Sequence, residues 1–141
     1  MNVHTPVRQL MSANPSSVVQ TAPISEVRRL LRASAFHHVP VVSEEGCLVG
    51  VISSMDLAEY ALDVWVKDAE VVDAEIDASF SLGAVMTHEP TTIEPHESVH
   101  KAADLLAEGA YHCLPVVDAA GLLVGMLTST DVLRFFAVQP S

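Results

Sequence analysis

The chain has 141 residues, half of them apolar, and a formal net charge of −11. This composition suits a packed globular core and excludes a disordered chain. Only seven Lys and Arg are present, too few for nucleic-acid binding, which depends on basic groups meeting phosphates. The apolar runs are too short to span a bilayer, the N-terminus has no apolar signal core, and two cysteines make no disulfide framework. We therefore expect a reduced, cytoplasmic protein.

The first part of the chain predicts a short strand, a helix, a hairpin and a second helix. The run "SSVVQ" (16–20) is extended, and apolar residues recur at helical spacing over 24–35. "VPVV" (39–42), with Pro at its start, and "CLVGVI" (47–52) predict the two arms of the hairpin around the Gly-ended turn "SEEG". The second helix begins near Ser53.

Residues 62–81, "LDVWVKDAEVVDAEIDASFS", predict a further helix, because apolar residues recur at helical spacing and no Gly or Pro interrupts them. We interpret its acidic side as a solvated face. That side carries Asp63, Glu70, Asp73 and Asp77.

The rest of the chain repeats the first part. Residues 11–61 align without a gap with residues 86–136, at an offset of 75. The extended run is then "TTIE" (91–94), the hairpin is "LPVV" and "LLVGML", and the last helix begins near Thr128. The order strand–helix–strand–strand–helix predicts an α+β fold, and duplicated units are expected to pack together because one alone leaves its apolar face uncovered. We draw the repeats at 1–61 and 82–141, joined by the linker 62–81.

Each copy ends its hairpin on a Ser/Thr-x-x-Asp motif, "SSMD" (53–56) and "TSTD" (128–131). One interpretation is a capping box, in which the Ser or Thr oxygen accepts from a backbone N–H and the Asp reaches back to the N-cap N–H. The other is a ligand site, since a helix start offers N–H groups and a positive dipole end to an anion.

The stretches "GVISSMD" and "GMLTSTD", each after a "PVV" strand in a tandem repeat, closely resemble the CBS domain family. The resemblance covers roughly residues 7–61 and 82–137 and includes the opening "LM" and "VMT". It implies an α+β module of two β-α-β-β-α repeats packed with pseudo-two-fold symmetry, with two clefts between the repeats. Many members bind adenosine-containing ligands there, such as AMP, ADP, ATP or S-adenosylmethionine.

The resemblance also implies roles for individual residues. Asp56 and Asp131 would hold ribose hydroxyls, as acidic residues do elsewhere, and Ser53 and Thr128 would face phosphate. The adenine slot would involve backbone groups near Val18 and Ile93. One cleft would be lined by Phe36, His37, His38 and Val39, and the other by Tyr111, His112, Cys113, Leu114 and Pro115.

The sequence departs from the family pattern near the expected phosphate position. The residue before Val39 or Leu114 is often Arg in the family, whereas it is His38 or Cys113 in this chain. Arg134 follows Asp131 by three residues, but its counterpart in the first copy is Glu59. We therefore expect the second cleft to bind nucleotide more tightly than the first, and a diphosphate or triphosphate to bring Mg²⁺ with it.

Other residue groups carry weaker hypotheses. A zinc site is one interpretation of His37, His38, His112 and Cys113, but their spacing is not a metal signature. We therefore interpret these side chains as pocket lining or packing. Arg28, Arg29 and Arg32 on the first helix could meet an anion or a partner, and a solvated face is the simpler interpretation. No catalytic motif is present, so we expect no enzyme.

Two functions follow. The first is a regulatory module that binds an adenosine-type ligand, needs no further cofactor, and signals to a regulated protein. The second is a structural interaction module with degenerate clefts. We also expect a homodimer, because apolar groups end the second helices. These groups are Tyr60, Leu62, Trp65, Phe135 and Phe136.

Overall fold

The structure, a computed structural model, describes residues 2–33, 37–61, 69–109 and 112–138, which fall into two compact units. We call Ser16–Glu89 the first unit, and Met1–Pro15 together with Pro90–Ser141 the second unit. The segment that opens each sequence copy therefore packs with the hairpin of the other copy. The boundaries predicted at residues 61 and 82 mark the duplication in the sequence and not the edges of these units.

The elements follow one another in chain order. A 3₁₀ turn spans Val7–Gln9, and the strands and helices after it are β1 (Ser12–Ala13), β2 (Val18–Val19), α1 (Ile24–Ala33), β3 (His38–Val42), β4 (Leu48–Ser53), α2 (Ser54–Ala61), α3 (Ala69–Ser79), α4 (Leu82–Val85), β5 (Thr87–His88), α5 (Val99–Ala107), β6 (Cys113–Val117), β7 (Leu123–Thr128) and α6 (Ser129–Ala137). Within the described ranges, no helix is both long and apolar enough to cross a lipid bilayer.

The sheet of the first unit is mixed, and the sheet of the second unit is antiparallel. The first unit has four strands in the order β2-β3-β4-β5, and the second has three in the order β1-β7-β6. The two hairpins share one register, since Val39 lies opposite Ile52 and Leu114 lies opposite Leu127. The edge strands β5 and β1, which occupy aligned positions in the two copies, pair with β4 and β7 respectively. The duplication thus builds the same hairpin twice and gives each hairpin an edge strand from the other copy.

The extended runs that open the two repeats are shorter than predicted. The first forms β2, only Val18–Val19, parallel to β3. The second is a single bridge, in which the N–H of Ile93 donates to the carbonyl of Pro115 and its carbonyl accepts from Val117. The proline of each hairpin lies inside its strand and not at the start as predicted. Pro115 shows why this is tolerated. Its nitrogen faces the side on which the neighbouring segment begins to pair only at Ile93, so no hydrogen bond of the sheet is lost.

Each unit has its own hydrophobic core. The first core is formed by Val18, Ile24, Val27, Val39, Val41, Ile52, Leu57, Ile76, Leu82 and Val85. The second is formed by Val7, Ile93, Val99, Ala102, Leu114, Val116, Leu127 and Val132. The segment between the repeats supplies Ile76 to the first core, and the N-terminal segment supplies Val7 to the second, where its side chain is completely buried. Both segments are therefore structural parts of the units and not loose connections.

Helix α3 is held against α1 by its acidic residues. The backbone N–H of Ser25 donates to Asp77 Oδ1 (2.8 Å), and the Ser25 hydroxyl donates to Asp77 Oδ2 (2.7 Å). Asp77 thereby caps the first turn of α1, whose N–H groups have no partner within the helix. Asp73 forms an ion pair with Arg28. The prediction of a solvated acidic face is consequently wrong for Asp73, which pairs with Arg28, whereas Asp77 is exposed and also caps α1.

Candidate functional site

Both second helices begin with a capping box. In the first unit, the N–H of Asp56 donates to Ser53 Oγ (3.0 Å), and the N–H of Ser53 donates to Asp56 Oδ2 (2.8 Å). In the second unit, the corresponding distances between Thr128 and Asp131 are 3.1 Å and 2.9 Å. The capping-box interpretation of the two motifs is therefore confirmed.

Each capping box also leaves groups that a ligand could use. Within the described part of the chain, Asp56 Oδ1 takes part in no hydrogen bond, and the cation near Asp131 Oδ1 is Arg134, with Nη1 3.9 Å away. The hydroxyls of Ser53 and Thr128 act as acceptors in the box, so each retains its proton as a donor. The cap thus occupies one oxygen of each carboxylate, and the other oxygen takes no part in it. Capping and ligand binding are compatible, because one aspartate can do both.

The start of each helix is fixed to the start of the preceding hairpin. The N–H of Ser54 donates to the carbonyl of His37 (2.8 Å), and the N–H of Ser129 donates to the carbonyl of His112 (2.9 Å). The two imidazoles themselves are exposed. The sequence predicted both histidines as part of the cleft lining and did not indicate this backbone role. Nothing in the residue type signals it, since any residue can supply a carbonyl.

The strand register decides which side chains lie beside each capping box. His38 is directly opposite Ser53, and Cys113 is directly opposite Thr128. Side chains in such cross-strand pairs point to the same face of the sheet, with Cβ atoms about 5 Å apart. His38 is half-buried, whereas Cys113 is only 5% exposed. The two boxes therefore differ in the chemistry of the neighbouring side chain.

Charge near the two capping boxes also differs. Burial raises the pKa of the Cys113 thiol to about 11, so this residue is a neutral neighbour at physiological pH. In the second unit the available cation is Arg134, whose side chain is 71% exposed and approaches the carboxylate of Asp131. The side chain of its counterpart Glu59 lies outside what the structure describes. The second box has an arginine that an incoming anion could reach.

The residues predicted for the adenine slot divide into three groups. Core side chains with an exposure of at most 3% are Val18, Val39, Ile93 and Leu114, and Pro115 is also buried. These five could contact a ligand only through the backbone. For Ile93 the N–H is already bonded to the carbonyl of Pro115. His37 and His112 are exposed, and Phe36 and Tyr111 lie outside the described residues.

The structure thus brings together a small polar set in each unit. The first set is His38, Ser53 and Asp56, and the second is Cys113, Thr128, Asp131 and Arg134. Each set lies within one compact unit. Among the described residues, no group of three His, Cys, Asp or Glu side chains is placed to hold a metal ion. What each set offers is a carboxylate acceptor, a hydroxyl donor and a helix N-terminus, which suits a ligand that combines a polyol with an anion.

Solved structures with the same fold contain ligands with an adenosine group. The structure of the Arabidopsis thaliana protein CBSX2 in complex with AMP is 29% identical, has a TM-score of 0.76, and matches over 94% of this chain and 96% of that one. The CBS domain pair of protein MJ0100 in complex with 5′-methylthioadenosine and S-adenosyl-L-methionine is 28% identical, with a TM-score of 0.75 and coverage of 94% and 96%. The predicted α+β fold of two repeats is confirmed by these structures.

Curated relatives differ in how much of their own length this chain matches. A CBS domain-containing protein of Dictyostelium discoideum is 30% identical over 90% of this chain and 88% of its own length. A protein named homoserine O-acetyltransferase in Methanocorpusculum labreanum is 34% identical over 87% of this chain, but the match spans only 22% of that protein. The chain therefore corresponds to less than a quarter of this longer relative.

The duplication, the repeated hairpin and the two capping boxes agree with a direct family match. The family model of the CBS domain matches twice, at residues 7–63 and 82–138, and the two matches together cover most of the chain. The chain belongs to the CBS domain family and consists of two CBS repeats.

Proposed function

We propose that the protein is a regulatory module that binds an adenosine-containing ligand where the capping boxes begin α2 and α6. Ligand binding then signals to a partner protein. One observation carries this proposal: each box uses a single oxygen of its aspartate for capping, and the second oxygen takes no part in the cap. The AMP and S-adenosyl-L-methionine found in related CBS pairs support the ligand class. In this proposal Asp56 and Asp131 accept from ribose hydroxyls.

The second unit is the better site for a phosphate. Thr128 retains a hydroxyl proton, α6 begins there, and the guanidinium of Arg134 lies near the carboxylate. These groups can donate to phosphate oxygens. The net charge of −11 opposes binding of an anion at either site. AMP is therefore the first candidate among nucleotides, and ADP or ATP would bind with Mg²⁺. No other cofactor is required.

Calorimetric titration of the purified chain with AMP, ADP, ATP, S-adenosylmethionine and NAD tests this proposal. ADP and ATP are titrated both with and without Mg²⁺. We expect saturable binding of AMP or S-adenosylmethionine, with a negative heat-capacity change because the adenine is buried. Inosine monophosphate is a matched control, since it keeps the ribose phosphate and changes only the base. Absence of binding to every adenosine compound at millimolar concentration would falsify the proposal.

The alternative function is a structural interaction module without a ligand. It is favoured by Cys113, a buried neutral thiol beside the second box, and by the backbone N–H of Ile93, which is already bonded.

Catalysis is not proposed, and the acetyltransferase name of the longer relatives belongs to proteins of which this chain matches a minor part. A cytoplasmic location, predicted from cysteines that form no disulfide framework, also stays a prediction.

We also propose a homodimer, but not through all the residues the sequence suggested. Phe135 and Phe136 are half-buried against the second core, with ring centroids 5.4 Å apart in an edge-to-face arrangement. Leu62, Trp65 and the side chain of Tyr60 lie outside what the structure describes. The exposed apolar residues on and just after α6 are Leu133 (68%) and Val138 (71%). These two supply apolar surface for association.

Light scattering at micromolar concentration measures the oligomeric state. The parent should give twice the monomer mass. Leu133→Glu should shift the particle toward the monomer, because it places a charge in the contact. Thr130→Glu adds the same charge to an exposed position on the same helix and should leave the dimer intact. A monomeric parent, or dissociation of both variants alike, contradicts this interface.

A further inference from the structure

Helix α1 carries the chain's densest group of positive charge. Arg28, Arg29 and Arg32 lie within two turns and account for three of only seven Lys and Arg. The aligned positions on α5 are Ala103, Asp104 and Ala107, so the duplicated ligand site does not require this group. We call these three arginines the basic cluster. A net charge of −11 makes a local positive surface on this chain exceptional.

Contacts with α3 occupy part of the basic cluster. Arg28 is hydrogen-bonded to Asp73, and its side chain is only 23% exposed. Arg32 Nη2 lies 3.6 Å from the same carboxylate oxygen, with its side chain 53% exposed. Arg28 is thus committed to holding α3, and Arg32 shares the same acceptor while remaining open to solvent.

Arg29 has a different environment. Its side chain is exposed, and no hydrogen bond or ion pair joins it to another described residue. Glu26, one turn earlier on the same helix, is not paired with it. Arg28 and Arg32 share one contacting carboxylate, Asp73, whereas Arg29 contacts none among the described residues. Arg29 therefore serves no described structural contact, and Arg32 is only partly occupied by its contact with Asp73.

The two accessible arginines border an open depression between α1 and α3. Its volume is about 330 Å³, and it is lined by Arg29, Arg32, Ala33 and Asp73. Ala33 is exposed and adds an apolar surface beside the two guanidinium groups. The depression is shallow, whereas a site for a small ligand buries most of the ligand surface. Arginine beside apolar surface is instead a typical composition of a protein–protein interface.

We infer that the basic cluster is a docking surface for an acidic segment of the partner protein. Arg29 and Arg32 are three residues apart on a helix, so their Cβ atoms lie about 5–6 Å apart. Acidic residues at alternate positions of an extended peptide are roughly 6.5 Å apart on one side. Two such carboxylates can meet the two guanidinium groups together, with bidentate hydrogen bonds. A nucleic acid is disfavoured because two accessible arginines neutralise too few phosphates.

This inference rests on the proposed function only for the existence of a partner. It concerns α1 and α3, and the nucleotide groups lie at the starts of α2 and α6. AMP binding should therefore be the same in the parent and in variants of the basic cluster. Failure of AMP to bind the parent would overturn the proposed ligand and leave the peptide result untouched.

Fluorescence anisotropy tests the docking surface. The probe is a fluorescein-labelled peptide of alternating Glu and Gly, and a Gln-Gly peptide of equal length is the uncharged control. Arg29→Ala/Arg32→Ala should weaken binding of the acidic probe about tenfold in low salt, since both cationic contacts are lost. Raising the salt from 50 to 200 mM should lower the affinity of the parent for the acidic probe to nearly that of the variant. Salt screens exposed charges that are separated by roughly one Debye length or more.

The control is Arg8→Ala/Lys101→Ala, which removes two exposed positive charges from the second unit, where Lys101 is paired with Glu97. It should bind the acidic probe like the parent. The single variant Arg29→Ala leaves both contacts of Asp73 in place, so it separates docking from any loosening of α3. It should still weaken binding severalfold, with an unchanged melting temperature.

Three results would overturn the inference. The first is a parent that binds the Gln probe as tightly as the Glu probe. The second is an equal loss of binding in Arg8→Ala/Lys101→Ala, which would make net charge the cause. The third is displacement of the probe by micromolar inorganic phosphate at constant ionic strength, which would assign the arginines to a small anion and not to a peptide.

Discussion

Replacing Asp131 by Asn should weaken AMP binding about tenfold to a hundredfold, because charge-assisted hydrogen bonds to the ribose contribute about 1.5–3 kcal/mol. The amide oxygen of Asn can still accept from the N–H of Thr128, so the capping box remains. The amide nitrogen then replaces the oxygen that is not used by the cap and can only donate, so the ribose hydroxyls lose their charged acceptor. The substitution therefore removes the ligand role and preserves the cap.

Calorimetry and thermal unfolding, measured on the same variants, separate the two roles. Asp131→Asn should lose affinity with little change in melting temperature. Asp131→Ala should lose both, since it also removes the hydrogen bond from the Thr128 N–H, and a lost hydrogen bond costs about 1 kcal/mol of stability. If Asp131→Asn binds AMP like the parent, the aspartate is a cap alone and the ligand site is elsewhere or absent.

Asp56→Asn is the matched control in the first unit, where the box has the same geometry. It should leave the tighter site unchanged, because Arg134 stands near the second box and Glu59 holds the aligned position in the first copy. A charge reversal near a phosphate changes affinity by about 1–2 kcal/mol at a partly exposed site. Loss of AMP binding in Asp56→Asn together with retention in Asp131→Asn would reverse this ranking.

The features that the sequence predicted well depend on short spacings. The capping boxes need only a Ser or Thr and an Asp three residues later, and the hairpins need β-branched runs on either side of a turn. Such features form between neighbours in the chain, so a local pattern is enough to predict them. Duplication strengthened each prediction, because the same local pattern occurred twice.

The assignment of segments to units could not be predicted in this way. Strand β1 pairs with β7, with Ser12 opposite Met126, and not with the hairpin of its own copy. Because the two copies have closely similar strands and glycines, an edge strand finds nearly the same partner in either one. The pattern of apolar residues is identical for both pairings, so it cannot distinguish them.

Long-range polar contacts were equally hidden in the sequence. Asp73 pairs with Arg28, and Asp77 caps α1 through Ser25. These partners are 45 and 52 residues apart, and opposite charge alone does not determine which pair forms.

The candidate site could also be predicted only in part. The motif located Ser53 and Thr128, but only the structure showed that Val39 and Leu114 point into the cores.

Replacing Gly50 by Ala should destabilise the protein by about 1–3 kcal/mol, the usual cost of overpacking a well-packed site. A Cβ at this position would lie 2.5 Å from Met86 Sδ and 2.8 Å from the carbonyl oxygen of Thr87. The sulfur could move by a change of rotamer. The carbonyl oxygen cannot move alone, because Thr87 is paired with Val51 in the sheet. The backbone contact therefore determines the cost.

The aligned residue Gly125 is a natural comparison, since the three atoms nearest to a Cβ there all belong to the flexible side chain of Met11. A methionine side chain is flexible and adapts to small changes of volume, so Gly125→Ala should cost less, about 1 kcal/mol or below.

Denaturant unfolding of the two variants measures the difference. Adding Met11→Ala to Gly125→Ala should cancel most of the collision, whereas adding Met86→Ala to Gly50→Ala should leave the clash with Thr87. Such double substitutions isolate the pairwise interaction. Equal losses for the two glycines, or full rescue of Gly50→Ala by Met86→Ala, would show that the β4–β5 edge yields as easily as a side chain.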